Sequence, residues 1–162
     1  MTTFSRINVD EYFLTIANLV AERSTCRRRK VGCVLVDSKN HIVATGYNGV
    51  PSGFTHCLDV PCEGATAPSG TDLDKCWAVH AEVNAFLQLT SEDTLTAYLS
   101  TTPCFTCAKM ICNSNVTRIV AKEWYVHESV KSMLWEAKIP VSIRDVQGRY
   151  IKDVKEVDVS RQ

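Results

Sequence analysis

The stretch TAYLSTTPCFTCAKMICNSNVTRIVAK, residues 96–122, decides the architecture. Residues 96–101 read as a strand, 104–113 as a helix and 116–122 as a second strand. A strand, a helix and a strand in so short a span predict a crossover that lays the two strands parallel. Working outward, a helix over 128–138 and a strand over 141–146 extend the alternation, and a helix from Val79 to Leu89 precedes it. The pattern predicts one α/β domain over residues 1–162, with a central sheet covered by helices.

Towards the N-terminus, Val9, Tyr12, Phe13, Ile16, Leu19 and Val20 recur at helical spacing. Asn8 is placed to cap this helix with Glu11 three residues on, and the helix is expected to reach about Ser24. Two strands follow, 31–36 and 42–47, joined by the turn-rich Asp37-Ser38-Lys39-Asn40, and they should pair as an antiparallel hairpin. The core therefore spans about residues 8–146. Residues 49–75 show no sustained periodicity and carry several Gly and Pro, the mark of a long loop that serves function.

An apolar fraction of 45% with 22% charged residues is ordinary for a globular chain. Without an apolar run long enough for a membrane or a secretory signal at Met1–Arg6, a cytoplasmic protein is expected. Eight cysteines then point to metal ligation or catalysis and away from disulfides. Lys plus Arg and Asp plus Glu each total 18, so no electrostatic footprint favours a polynucleotide partner, and a small substrate is expected.

His80-Ala81-Glu82 and Pro103-Cys104-Phe105-Thr106-Cys107 together match the signature of zinc deaminases. Cys104 and Cys107 fall on one face of a helix start, where the helix dipole and exposed N–H groups favour thiolates. His80 adds a third ligand, and three protein ligands leave a tetrahedral zinc one position for water. Zinc lowers the pKa of such a water towards about 7. Glu82, two residues from His80 and not itself a ligand, is the proton carrier.

Over most of its length, from Arg23 to about Val146, the chain resembles the deoxycytidylate deaminases. The residues that carry the likeness are Thr25-Cys26-Arg27-Arg28, Val31-Gly32, Gly46-Tyr47-Asn48-Gly49, His56-Cys57, His80-Ala81-Glu82 and Pro103-Cys104-x-x-Cys107. The resemblance implies a cytidine-deaminase-like three-layer sandwich with a mixed five-stranded sheet between helices, assembled as hexamers. It also implies conversion of dCMP to dUMP for thymidylate synthesis. Asn48 is implied to hydrogen-bond the deoxyribose, although an Asn in a tight Asn-Gly turn has a purely structural reading too. Ala81 and the carbonyl of Thr102 belong with the substrate, and Tyr125 either packs on the base or reaches the phosphate. Within the basic run Arg27-Arg28-Arg29-Lys30, Arg28 is the expected phosphate contact. Gly46, Tyr47, Asn48 and Gly49 with Arg27 and Lys30 are expected to hold an effector, dCTP activating and dTTP inhibiting, with Mg2+ on the triphosphate.

Cys26, Cys57, Cys62 and Cys76 bracket the irregular segment, and four thiolates would close a second, structural zinc site that orders it. His56 competes with Cys57 as a ligand there. Two rival functions fit parts of the same motifs, namely a polynucleotide cytosine or adenosine deaminase and a non-catalytic zinc-binding module. Glu82 at its spacing argues against the second.

Overall fold

The computed structural model describes residues 6–68, 70–125, 128–145 and 150–153. In chain order these are α1 (Val9–Ala21), β1 (Gly32–Asp37), β2 (Ile42–Tyr47), α2 (Ala81–Leu87), β3 (Leu95–Thr101), α3 (Phe105–Cys112), β4 (Val116–Glu123), α4 (Glu128–Glu136), β5 (Val141–Arg144) and β6 (Tyr150–Asp153). The loop between β2 and α2 adds two short 3-10 turns, Glu63–Thr66 and Leu73–Lys75. None of the described helices is long and apolar enough to cross a membrane.

The sheet runs β2-β1-β3-β4-β5-β6. The β1/β2 hairpin is antiparallel and β3, β4 and β5 are mutually parallel, as the alternation of elements predicts. To the five expected strands the structure adds β6, antiparallel to β5 at the sheet edge. Its polar sequence in the tail carries no alternating apolar signal, which is why a five-stranded sheet was the sequence expectation.

β1 is buried along its whole length, so it serves both faces. Cys33 and Leu35 point to the side covered by Ala81 and Ala85 of α2, Ala108 and Ile111 of α3, and Val130 and Leu134 of α4. Val34 and Val36 point to the other, against Phe13, Leu14 and Ala17 of α1. Three layers result.

Asn8 caps α1, its Oδ1 accepting from Glu11 N at 2.8 Å. The helix stops at Ala21, short of Ser24, and of its expected stripe Phe13 is buried, with Ile16 and Val20 packed partly buried beside it, whereas Val9, Tyr12 and Leu19 are exposed. Small residues set the contact. A Cβ on Gly32 of β1 would lie 2.1 Å from the Ala17 carbonyl oxygen, so α1 sits directly on the strand backbone through Ala17 and Ala21. Asp10 then ties the helix to the sheet, accepting from both Nη atoms of Arg118 at 2.8 and 2.7 Å and from the Tyr98 hydroxyl at 2.9 Å. Arg144 adds an ion pair at 2.8 Å. Burial raises the Asp10 carboxyl pKa, but these cations and donors more than offset it and hold the pKa below the ordinary value.

The same device places α2. A Cβ on Gly46 of β2 would lie 2.1 Å from the Ala81 carbonyl oxygen and 2.4 Å from Ala85 N. Gly46→Val must therefore push α2 off the hairpin, with an expected loss of about 2 to 3 kcal/mol of stability from overpacking. Urea unfolding reads this directly, and an unchanged midpoint would show that the close approach does not matter.

Candidate active site

Gly49 and Val79 form an antiparallel bridge, Val79 N donating to Gly49 O at 2.8 Å and Gly49 N to Val79 O at 3.1 Å. The bridge pins both ends of the long loop and delays the start of α2, expected at Val79, to Ala81. His80 is thereby left as the extended N-cap residue. Cys104 holds the equivalent extended position before α3. Both helix starts converge at the same end of the sheet, where helix-terminal N–H groups favour negative charge.

The Nδ1 of His80 lies 3.4 Å from the Sγ of Cys104 and 3.4 Å from that of Cys107. Tetrahedral zinc, with bonds of about 2.3 Å to sulfur and about 2.0 Å to nitrogen, puts neighbouring S and N ligands about 3.5 Å apart. The donor set and its spacing fit the ion. His80, Cys104 and Cys107 are also the one group of three or more such ligands gathered among the described residues. The Cys104 thiol, hydrogen-bonded by Cys107 and by His80, is held down at about 4. Cys107 is the donor in that contact and is buried, so its pKa rises well above the thiol range. Two thiols that share one negative charge in this way can both ionise beside a divalent cation.

Glu82 is buried at 4% exposure on the first turn of α2. Burial, helped by the negative charge on Cys104, raises its pKa above the ordinary carboxyl value. Glu82, His80 and Cys104 line one cleft, where the buried carboxyl meets the helix-start ligands.

Asn48, Ala81, Thr102, Tyr125 and Arg28, the expected substrate residues, all line this cleft. Arg28 Nη2 donates to the carbonyl oxygens of Pro68 and of Thr71, the latter at 2.9 Å, which draws the long loop over the cleft. Its Nη1 is buried with no hydrogen-bond partner among the described residues. The Tyr125 hydroxyl lies where Gly70 approaches, and a Cβ there would be 2.2 Å away. Arg29, which the sequence reading left without a role of its own, also lines the cleft. It is paired with Glu123 at 2.9 Å, bonded to Thr101 Oγ1 at 3.2 Å and placed 5.5 Å over the Tyr125 ring.

The expected effector residues are scattered. Gly46 is buried under α2, Gly49 is in the bridge, and the Tyr47 carbonyl accepts from Asn84 Nδ2 at 2.8 Å. Arg27 and Lys30 are exposed, Lys30 paired with Glu22, and neither lines the cleft.

The four remaining loop thiols are not gathered into one group. Cys57 and Cys62 lie 3.7 Å apart, too far for a disulfide of about 2.05 Å and close to the separation of about 3.8 Å for two thiolates on one tetrahedral zinc. Burial raises the Cys57 thiol, but the N–H groups of Cys62 and Arg27 more than offset it and its pKa falls. Cys26 and Cys76 instead line the cleft. His56 is exposed where Cys57 is buried, so of the two neighbours the thiol is the one that faces inward.

Residues 7–123 match the family described as the cytidine and deoxycytidylate deaminase zinc-binding region. The deoxycytidylate deaminase of Mycobacterium phage D29 is 41% identical over 123 residues, covering 72% of this chain and 95% of that protein. The Schizosaccharomyces pombe deoxycytidylate deaminase is 39% identical over 133 residues, which make up 79% of this chain and 41% of the yeast protein. The chain thus spans about two fifths of that longer relative. The crystal structure of dCMP deaminase from cyanophage S-TIM5 in complex with dCMP and dUMP superposes with a TM-score of 0.69 at 27% identity, covering 85% of this chain and 98% of the phage chain.

Proposed function

The chain belongs to the cytidine and deoxycytidylate deaminase zinc-binding family, and from that premise we propose that it hydrolyses dCMP to dUMP and ammonia. One observation carries the reading: a buried carboxyl, Glu82, shares a cleft with His80 and Cys104, and His80 Nδ1 lies 3.4 Å from the thiols of both Cys104 and Cys107.

His80, Cys104 and Cys107 would hold zinc, whose chemistry is to make water a nucleophile near neutral pH. Glu82 takes a proton from the attacking water, delivers it to N3 of the base and assists the departure of the C4 amine. Its raised pKa suits a group that must both accept and return a proton. The Thr102 carbonyl accepts from the amine, Asn48 meets the deoxyribose and Tyr125 flanks the base. Arg28 Nη1 is a buried donor without a partner among the described residues, and a phosphate oxygen would satisfy it.

Cys57 and Cys62, 3.7 Å apart, would supply two ligands of a second zinc that orders the long loop, with Cys26 and Cys76 the other expected thiols. The protein works in the cytoplasm as a homo-oligomer of hexamer type and supplies dUMP for thymidylate synthesis. dCTP with Mg2+ activates and dTTP inhibits, through the Gly46–Gly49 turn with Arg27 and Lys30.

Ammonia release across dCMP, deoxycytidine and single-stranded DNA tests the reading. Deoxycytidine offers no phosphate oxygen to Arg28 Nη1, so its kcat/KM should fall by about 100-fold or more relative to dCMP. The polymer should be turned over least. Comparable values for dCMP and deoxycytidine would remove Arg28 from the phosphate, and preference for the polymer would replace the proposal with a polynucleotide deaminase.

A further inference from the structure

Asn48 is held from three sides. Its Oδ1 accepts from Val31 N at 2.8 Å, and its Nδ2 donates to the Arg29 carbonyl at 2.7 Å. An N–H can only donate and a carbonyl can only accept, so the orientation of the carboxamide follows from the backbone and not from any choice of assignment. The third side is Ser24. Its hydroxyl lies 2.7 Å from Asn48 Oδ1 and 2.8 Å from the Asn48 carbonyl oxygen, and it accepts from Cys26 N at 3.2 Å. Ser24 is itself buried at 3% exposure and does not line the cleft, whereas Asn48 and Cys26 both do.

The geometry points to Ser24 as a positioning residue, which fixes the Asn48 carboxamide so that the second hydrogen of Nδ2 is kept for a hydroxyl acceptor on the bound nucleotide. Among the described residues Nδ2 donates to Arg29 O alone, so that hydrogen is unspent. Thr25 strengthens the clamp: its N–H donates to the Asn48 carbonyl at 3.2 Å, and its Oγ1 would meet a Cβ on Gly49 at 2.3 Å. The segment 24–26 thus grips residues 48 and 49 across the hairpin. Removing the Ser24 hydroxyl withdraws a buried acceptor from Cys26 and a donor from Asn48, and the carboxamide is free to tilt. The role of Ser24 in substrate binding rests on the dCMP reading, but its hold on Asn48 does not.

The experiment uses the full chain loaded with zinc. Ser24→Ala should raise KM for dCMP about 10-fold, the effect of one hydrogen bond, with kcat little changed. Asn48→Ala should raise KM at least as much, and Ser24→Ala added to it should have no further effect, because the serine acts through the asparagine. Ser24→Cys, close in shape with a weaker donor, should fall between. In parallel, NMR of the Asn48 side-chain amide should show exchange with solvent about 10-fold faster in Ser24→Ala than in the wild type. Additive effects of the two alanine changes, or an unchanged KM, would overturn the substrate role. A wild type that does not act on dCMP defeats the functional reading alone, and unchanged amide exchange in Ser24→Ala then overturns the positioning of Asn48 by itself.

Discussion

On the proposed reading, Glu82→Gln should lower dCMP turnover by about 1,000-fold while zinc stays bound, in line with the usual contribution of general acid–base groups. The amide has the shape of the carboxyl and fits the same site on the first turn of α2. What it loses is the ability to take a proton and return it. Burial holds the carboxyl pKa above its ordinary value, so the native group moves the proton without the cost of parting from a strongly favoured charge. Glutamine instead offers a fixed donor and a fixed acceptor, neither of which can cycle. Stability should not fall, because the variant removes a buried charge without leaving a cavity. Single-turnover ammonia release beside elemental analysis checks both halves. A Glu82→Gln variant that turned over within about 10-fold of wild type would falsify the proton-carrier role, since that loss is below the range for such groups. Loss of the metal would instead make Glu82 a ligand.

Residues 96–122 were legible because each element there has its own period and its own boundary. The strands and the helix of that stretch fall within a residue or two of their expected places, and the parallel pairing follows from the crossover. The buried face of α1 is legible only in part: Phe13, Ile16 and Val20 pack inward as expected, while the equally apolar Val9, Tyr12 and Leu19 stay exposed. The closest approach is made by Ala17 and Ala21 against a strand glycine, beside the packing of Phe13 and Leu14. Small residues carry little hydrophobic signal, yet they decide how close two backbones come. The site divides the same way. That His80, Cys104 and Cys107 gather is legible because a zinc-type donor set restricts residue type and spacing. Ser24 and Arg29 are not legible in this way, since their work is done by hydrogen bonds to backbone and by stacking, and any of several adjacent basic residues would read alike in the run from Arg27 to Lys30. The loop thiols show a third limit, in that composition counts candidate ligands but only the chain path shows that Cys57 and Cys62 meet while Cys26 and Cys76 turn to the cleft.

Replacing His80, Cys104 or Cys107 by Ala should abolish both turnover and binding of the catalytic zinc, because on the proposed reading each supplies one of three protein ligands to a site with no spare one. Among the described residues no other His, Cys, Asp or Glu completes a group of three with the two that remain. Two ligands hold zinc far less tightly than three, so the effect on metal occupancy is all or nothing at ordinary zinc concentrations. The fold need not be lost with the metal. Ala81, Ala85, Ala108 and Ile111 bury α2 and α3 against the sheet without help from the ion, so circular dichroism should stay close to wild type. In the Cys104 variant the His80 imidazole also loses the thiolate that raises its pKa, and Cys107 loses the partner to which it donates. The comparison that isolates the site is the Cys57→Ser, Cys62→Ser double variant. On the proposal of two zinc ions per chain, it should retain about one, the catalytic ion, and lose thermal stability because structural zinc is coupled to folding. Cys104→Ala should also retain about one but show no turnover. If Cys104→Ala kept both its full zinc content and its activity, the assignment of the cluster to catalysis would fail, and if the double variant kept two ions the loop thiols would have no metal to hold.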